Sequence, residues 1–456
     1  MTNKSEKLYY ASPVWLQNIL VSAMGYHLFH KRYTGSFRAL YQQVSESREW
    51  NKEQRTAWQN EQLHQMIRHC RYNIPYYGRL FAEYGLHEND FTHIHDLPKL
   101  PILDKQTVRE HSQVLRTPWQ KPYVIQHTSG STGTPLALAV NETTYKLAMA
   151  LVMEHEQYHG IPFGAPRATF AGRLIQKSTD MTPPFSRFNR AENQRLYSSY
   201  HLSEQTFPSY RSDLDHFQPQ ELIGYPSAIS DLANYYEQSS KKPKFKPKAV
   251  ITNSETLLAW QREKIENIFQ CPVFDYYGTA EYLTFAGQDN SGRYYLSPLP
   301  GVTEVVHEAD SDNMSELIST TLTNFCMPLL RYRLGDTAIT GHEGEPITSF
   351  PRQLAAINGR IDDYIETPDG RRIGRMDHIF KGVSGIREGQ LIQEATNHCK
   401  ARIVLQPNST ALTTEKLIKN FHSRTGNSMT LSLEVCTDIP KGANGKFRSV
   451  INNLTA

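Results

Sequence analysis

One ten-residue run restricts the architecture more than any other: His127-Thr128-Ser129-Gly130-Ser131-Thr132-Gly133-Thr134-Pro135-Leu136. Hydroxyl side chains alternate with glycines, so backbone N–H groups stay uncovered, and bare N–H groups beside hydroxyl donors suit a polyphosphate. The Walker pattern is excluded, because Thr134-Pro135 follows Gly133 where that pattern needs a lysine. Tyr123 to Gln126 reads as a strand entering the run and Leu136 to Val140 as a strand leaving it, a hairpin-like setting. On composition alone two readings stay open, a nucleotide phosphate loop and a plain surface turn.

With 456 residues the chain exceeds what one core supports, roughly 250 to 300 residues, so two or more domains are expected. Hydrophobic residues at 39% and charged residues at 21% are ordinary for a globular protein, and a net charge of +3 argues neither for a polyphosphate-backbone binder nor for disorder. The five cysteines, Cys70, Cys271, Cys326, Cys399 and Cys436, form no Cys-x-x-Cys pair. Neither a disulfide framework nor a zinc knuckle is expected, and a reducing cytoplasm fits. Met1 to Lys7 lacks the pattern of a signal peptide. Val14 to Phe29 is apolar but interrupted by Gln17, Asn18 and His27 and too short to span a bilayer. It reads as an amphipathic packing helix in preference to a membrane-surface helix.

Further on, residues 52 to 70 show helical spacing and Pro75 marks a bend. Leu97 to Leu103 reads as an extended, proline-punctuated lead-in to a helix near Asp104. Asn141 is a good N-cap for a helix reaching about Tyr158. That helix carries His155-Glu156-Gln157-Tyr158-His159, a His-Glu-x-x-His pattern that binds zinc in metallopeptidases. Gly160 and Pro162 stop the helix at once and no third-ligand helix follows, so a polar helix end is the competing reading. Residues 163 to 248 alternate short apolar runs with helical patterns, which favours an α/β layered core. Lys241 to Lys248 is basic and proline-broken, and reads as a solvated loop. Ala249 to Thr252 is a buried strand, with Asn253-Ser254-Glu255 at the end where ligands gather in open α/β sheets.

Two more stretches carry chemistry. In Phe274-Asp275-Tyr276-Tyr277-Gly278-Thr279-Ala280-Glu281 a strand ends in aromatics, a glycine, a hydroxyl and a carboxylate. Beside a nucleotide, Tyr277 could stack on a base and Glu281 could hold magnesium; otherwise this is a strand, a turn and a surface glutamate. In Leu329-Leu330-Arg331-Tyr332-Arg333-Leu334-Gly335-Asp336 the aspartate could accept from both ribose hydroxyls, or be an ordinary turn residue.

Taken in order, Thr128 to Pro135, Tyr277 to Glu281, Arg331 to Asp336, Gly359-Arg360-Ile361-Asp362-Asp363 and Asn444-Gly445-Lys446 resemble the adenylate-forming enzymes, the acyl- and aryl-CoA ligases and their kin. Asn73-Ile74-Pro75-Tyr76-Tyr77, Leu97 to Leu103 and Gly224-Tyr225-Pro226-Ser227 narrow the resemblance to the phenylacetate-CoA ligase-like branch. Thr367 to Arg375 with Asp377 to Lys381 resembles a subgroup found among capsule and surface-polysaccharide genes.

The resemblance implies an α/β fold: a large layered N-terminal adenylation domain with mixed sheets, residues 1 to 359, and a small mobile α+β lid, residues 360 to 456. It implies that Thr128, Ser129, Gly130, Ser131, Thr132 and Gly133 cradle the ATP phosphates, with Thr134 where many relatives have lysine. Tyr277, Gly278 and Thr279 would flank the nucleotide, Glu281 would bind magnesium, Asp336 the ribose, and Arg360 would reach ATP. Asp362 would be the hinge, and Lys446 the cation that enters for adenylation. Tyr225, Ser227, Ser254 and Tyr276 would line the acyl pocket.

The implied reaction joins a small carboxylic acid to ATP and passes the acyl group to a thiol such as CoA, to a carrier thiol, or to an amine or sugar. Zinc peptidase and nucleotide binding without chemistry are the alternatives. A homodimer is compatible with the chain, and neither nucleic-acid binding nor stable membrane insertion is expected.

Overall fold

The computed structural model describes residues 4–127, 136–171, 175–177, 180–199, 201–307, 315–340, 348–360, 365–368, 372–373, 376–380, 383, 385–406, 411–426, 428–440 and 447–454. The chain forms two compact units, the first from residues 1–303 and 319–332 and the second from 304–318 and 333–456. The fold is α/β, with a large layered body and a smaller C-terminal sheet domain.

In the first unit the strands Tyr294–Leu296, Phe285–Gln288, Val273–Gly278, Ala249–Asn253, Glu221–Gly224, Arg167–Phe170, Gln194–Tyr197 and Ser186–Asn189 hydrogen-bond in that order. The run from Val273–Gly278 to Gln194–Tyr197 is parallel. Parallel strands need both faces covered, and these read as short apolar runs for that reason. Helices Phe207–Phe217, Pro226–Gln238 and Ala259–Phe269 cover one side through Tyr210, Leu214, Ile229, Leu232, Tyr236, Ile265 and Phe269. Val124–His127 pairs antiparallel with Ala137–Val140, as the hairpin reading requires. Asn141 caps the helix Glu142–Tyr158 by accepting the Thr144 N–H at 2.9 Å.

The lead-in before Asp104 differs from expectation. Ile94–Lys99 is a 3-10 helix with Pro98 inside it, because Asp96 Oδ2 accepts the N–H groups of Thr92 and His93. Only after it does the chain extend, to a bridge between Leu103 and Tyr332.

In the second unit Thr430–Val435, His398–Leu405, Ile386–Ala395 and Val450–Asn452 form a sheet in that order. The helix Ala411–Thr425 packs Leu417 and Phe421 against Leu391, Ala401 and Ile403. Cys70, Cys271, Cys326 and Cys399 are free and buried. Among the described residues no helix is long and apolar enough to cross a membrane.

Candidate active site

The parallel register sets Phe170 beside Gly224, Gly224 beside Thr252 and Asn253 beside Tyr276. These strands end together, so Tyr225, Ser254 and Tyr276 to Thr279 follow one another along one edge of the sheet, where open α/β sheets bind ligands. Gly224 is obligatory: a Cβ there would lie 2.0 Å from the Phe170 carbonyl oxygen. That carbonyl accepts the Tyr225 N–H at 2.8 Å, which aims the chain into the helix Pro226–Gln238.

Beyond Gly278 the chain reverses. The Thr279 carbonyl accepts the Tyr282 N–H at 3.0 Å, and Tyr282 takes a left-handed conformation with φ of 57°. The turn presents Glu281, half-buried, whose Oε1 accepts the Tyr332 hydroxyl at 3.3 Å. Tyr332 is itself buried, so the carboxylate has a fixed anchor. The Tyr282 hydroxyl donates to Gln126 Oε1 at 3.3 Å, two residues before Thr128. The carboxylate turn is thereby joined to the stem of the hydroxyl–glycine loop. Gly278 is exposed, and a Cβ there would meet nothing nearer than 3.8 Å, so packing does not demand glycine at this point. Upstream, burial pushes the Asp275 carboxyl up to about 7, although Thr252 and Tyr294 donate to it at 2.6 and 2.7 Å.

The four acyl-pocket candidates differ in what surrounds them. Ser254 is exposed, with φ of 68° and its hydroxyl donating to Asn253 Oδ1 at 2.8 Å. Tyr225 is half-buried against the main core cluster. Tyr276, also half-buried, stacks on Phe285 at 5.4 Å. Ser227 is buried, and its N–H and hydroxyl both donate to the Glu255 carboxylate at 3.2 Å. Glu255 therefore closes the N-terminus of Pro226–Gln238, where a negative charge meets the helix dipole.

Arg331 links two motifs that are far apart in sequence. It takes φ of 47°, is buried, and its guanidinium donates to the carbonyls of Leu100 at 2.6 Å and Pro98 at 3.3 Å. On the strand Tyr332–Ile339, Asp336 pairs with Arg360 of Ala356–Arg360, both in the second unit, and Gly335 just before it has φ of 77°. Thr128, Ser129, Gly130, Ser131, Thr132, Gly133, Asp362 and Lys446 lie outside the described residues.

The zinc reading of His155, Glu156 and His159 is overturned by their surroundings. His159 stacks on Phe274 at 3.4 Å, and its Nε2–H donates to the Gln288 carbonyl at 2.9 Å. His155 is buried among Tyr276, Phe285 and His159, against Gly287, where a Cβ would lie 2.5 Å from Nδ1. Burial pushes both imidazoles down, His159 to about 4. Glu156 belongs to an ion pair with Arg167, which also binds Glu221 at 2.6 Å, so it is not placed as a general base. Among the described residues no group of three His, Cys, Asp or Glu could hold a metal.

Comparison with solved structures gives 2-hydroxyisobutyryl-CoA ligase in the postadenylation state, with a TM-score of 0.66 over 87% of this chain and 89% of that one, at 18% identity. The fold is that of the adenylate-forming ligases. Protein CapK of Staphylococcus aureus is 26% identical across 98% of this chain and 99% of its own. The phenylacetate-coenzyme A ligase of Pseudomonas putida is 24% identical across 67% of this chain and 71% of its own. A family model, the CapK C-terminal domain, matches residues 365–453. Three lines thus agree with the resemblance drawn from the motifs: the adenylate-forming fold, the phenylacetate-CoA ligase branch, and the CapK-like subgroup.

The motifs had not pointed to Tyr332, Glu255 or the Tyr282–Gln126 contact as supports of this edge. Tyr332 and Glu255 stand inside quoted motifs, but a pairing 51 or 28 residues apart in sequence has no local signature.

Proposed function

We propose that the chain is an AMP-forming ligase that activates a carboxylic acid with ATP and passes the acyl group to a thiol such as CoA. One observation carries this reading within the first unit. Glu281 is anchored by Tyr332 on a turn tied through Tyr282 and Gln126 to the stem of the hydroxyl–glycine loop, at the ligand-binding edge of a parallel sheet.

The chemistry uses the residue types present. A carboxylate oxygen attacks the α-phosphorus, the bond to the bridging oxygen breaks, and pyrophosphate leaves with the electron pair. A thiolate then attacks the acyl carbon and AMP departs. The first step gathers negative charge on phosphate oxygens, and groups that neutralise it there lower the barrier. Glu281 is a hard oxygen donor in a region with no three-ligand cage among the described residues, which suits magnesium shared between one carboxylate and substrate phosphates. Bound there, magnesium would screen phosphate charge. We assign Thr128 to Gly133 to the β- and γ-phosphates, Tyr277 to Thr279 to the adenosine, Asp336 to the ribose and Arg360 to ATP. Lys446 would be the cation for adenylation, on a lid of residues 360–456 turning at Asp362. The CapK C-terminal domain match over 365–453 supports treating that segment as a unit.

A second acceptor class rests on the subgroup resemblance. Similarity to the phenylacetate-CoA ligase of Pseudomonas putida spans 67% of the chain, whereas similarity to CapK spans 98%. Thr367 to Arg375 and Asp377 to Lys381 resemble a subgroup found among surface-polysaccharide genes, and on that resemblance an amine or sugar acceptor competes with CoA for the second half-reaction.

The test is exchange of labelled pyrophosphate into ATP with a panel of aryl, fatty and hydroxy acids. One acid should support exchange, and Lys446→Ala should abolish it. ATP binding without exchange for any acid would leave a nucleotide-binding protein instead. Adding CoA or an amino sugar after adenylation separates the two acceptors.

A further inference from the structure

The helix Val14–Tyr33 meets the protein through a row of polar groups beside Phe29 and Tyr33, which pack on Phe163, and it leaves its solvent side apolar. Its fully buried positions are Gln17 and Gly25. Gln17 Oε1 accepts from Arg187 at 2.5 Å, and Asn18 Oδ1 accepts the Phe188 N–H at 3.0 Å. Ser22 donates to the Phe188 carbonyl and accepts the Arg190 N–H, both at 3.1 Å. Gly25 lies against Asn189, whose Oδ1 a Cβ would meet at 1.9 Å.

Outward stand Trp15, Ile19, Leu20, Met24 and Tyr26, exposed by 63, 54, 41, 59 and 55%. At about 100° per residue these five fall within one half of the helix circumference. The other exposed positions on that half are Ala23, His27 and His30; Lys31 also falls there but is half-buried with its Nζ 4.7 Å from the Tyr123 ring centre, so none of the exposed positions is Asp, Glu, Lys or Arg. An ordinary surface helix is arranged the other way round. The five side chains expose on the order of 600 Å², the upper end for a patch on a monomer and about three quarters of what one partner contributes to a standard dimer.

We propose that this face is the contact surface of a homodimer, with two copies of Val14–Tyr33 packed face to face about a two-fold axis. In such a contact the same patch meets itself, so any exposed charge on it would face a like charge; its exposed positions carry no Asp, Glu, Lys or Arg. A lipid surface is instead recognised by cationic groups around the apolar face. Here the cations closing the helix are turned inward: Arg32 pairs with Glu192 at 3.1 Å, and Lys31 lies 4.7 Å from the Tyr123 ring centre. The pairing is independent of the ligase reading, since none of these residues is assigned to it.

Sedimentation equilibrium of the full chain should give twice the chain mass at micromolar concentration. Ile19→Glu combined with Met24→Glu should give a monomer with unchanged far-UV circular dichroism. If that variant does not fold, Trp15→Ala with Tyr26→Ala should still raise the dimer dissociation constant at least tenfold, on the scale of lost aromatic anchors. A wild-type monomer at all concentrations overturns the proposal, as does a dimer that survives in a folded variant. A monomer that floats with phosphatidylcholine or phosphatidylglycerol vesicles also overturns it and gives the face to lipid.

Discussion

The two ends of the same parallel strands treat charge in opposite ways. At the amino ends, Arg167 and Glu221 open their strands and, with Glu156, form a buried cluster of two carboxylates on one guanidinium. Burial pushes the Glu156 carboxyl upward, which favours a proton within the cluster. At the carboxyl ends Glu281 is half-buried, Ser254 is exposed, and Ser254 and Tyr282 hold left-handed backbone conformations. Strain and uncovered polar groups persist where the surroundings over-determine them, commonly at ligand sites. Charge at the amino ends therefore maintains the fold, and the carboxyl ends are where we propose that the ligand binds. The His-Glu-x-x-His pattern belongs to the buried amino-end cluster through Glu156, and the Tyr-Gly-Thr-Ala-Glu run to the turn at the carboxyl end.

Substitutions at the two ends should separate stability from activity. The largest effect is expected for Arg167→Ala, which leaves two buried carboxylates without their cation; breaking such pairs costs roughly 3 to 5 kcal/mol. Its denaturant midpoint should fall sharply, and an unchanged midpoint would break the contrast. Next comes Glu281→Gln, with pyrophosphate exchange reduced by about 100-fold, the scale for a group that stabilises transition-state charge, and with little change in melting temperature.

Between the ends sits Asp275. Its carboxyl is raised from 3.8 to about 7 in the fold, so the native state binds more protons than the unfolded chain in that window. Stability contributed at this position is present at low pH and lost as pH rises through about 7. The difference in melting temperature between wild type and Asp275→Asn, followed against pH, should therefore move in favour of the variant as pH rises. A difference that stays flat would remove the buried carboxyl from the account. The smallest effect is expected for Tyr332→Phe, which deletes one hydrogen bond to Glu281 and should slow exchange by a few-fold, about 1 kcal/mol.

Much of the layered fold was legible locally. The helix beginning after Asn141, the hairpin at Val124–His127 and Ala137–Val140, and the strand before Asn253 all follow from capping, apolar runs and turn residues. Motif order carried the fold family. What local pattern did not hold was partnership: the N-terminal helix packs as read, but through polar contacts such as Gln17 with Arg187, 170 positions away, as well as through Phe29 and Tyr33. Ser227 entered only as an acyl-pocket candidate, and its closure by Glu255 depends on two strand ends lying side by side.

The central claim is tested most directly by measuring acid-dependent pyrophosphate exchange and melting temperature side by side for Glu281→Gln and Glu221→Gln. Glu281→Gln should lose exchange and keep its melting temperature, and Glu221→Gln should melt earlier yet retain exchange while folded. Exchange that survives in Glu281→Gln, or disappears in folded Glu221→Gln, would contradict the assignment of the carboxyl edge as the site of chemistry.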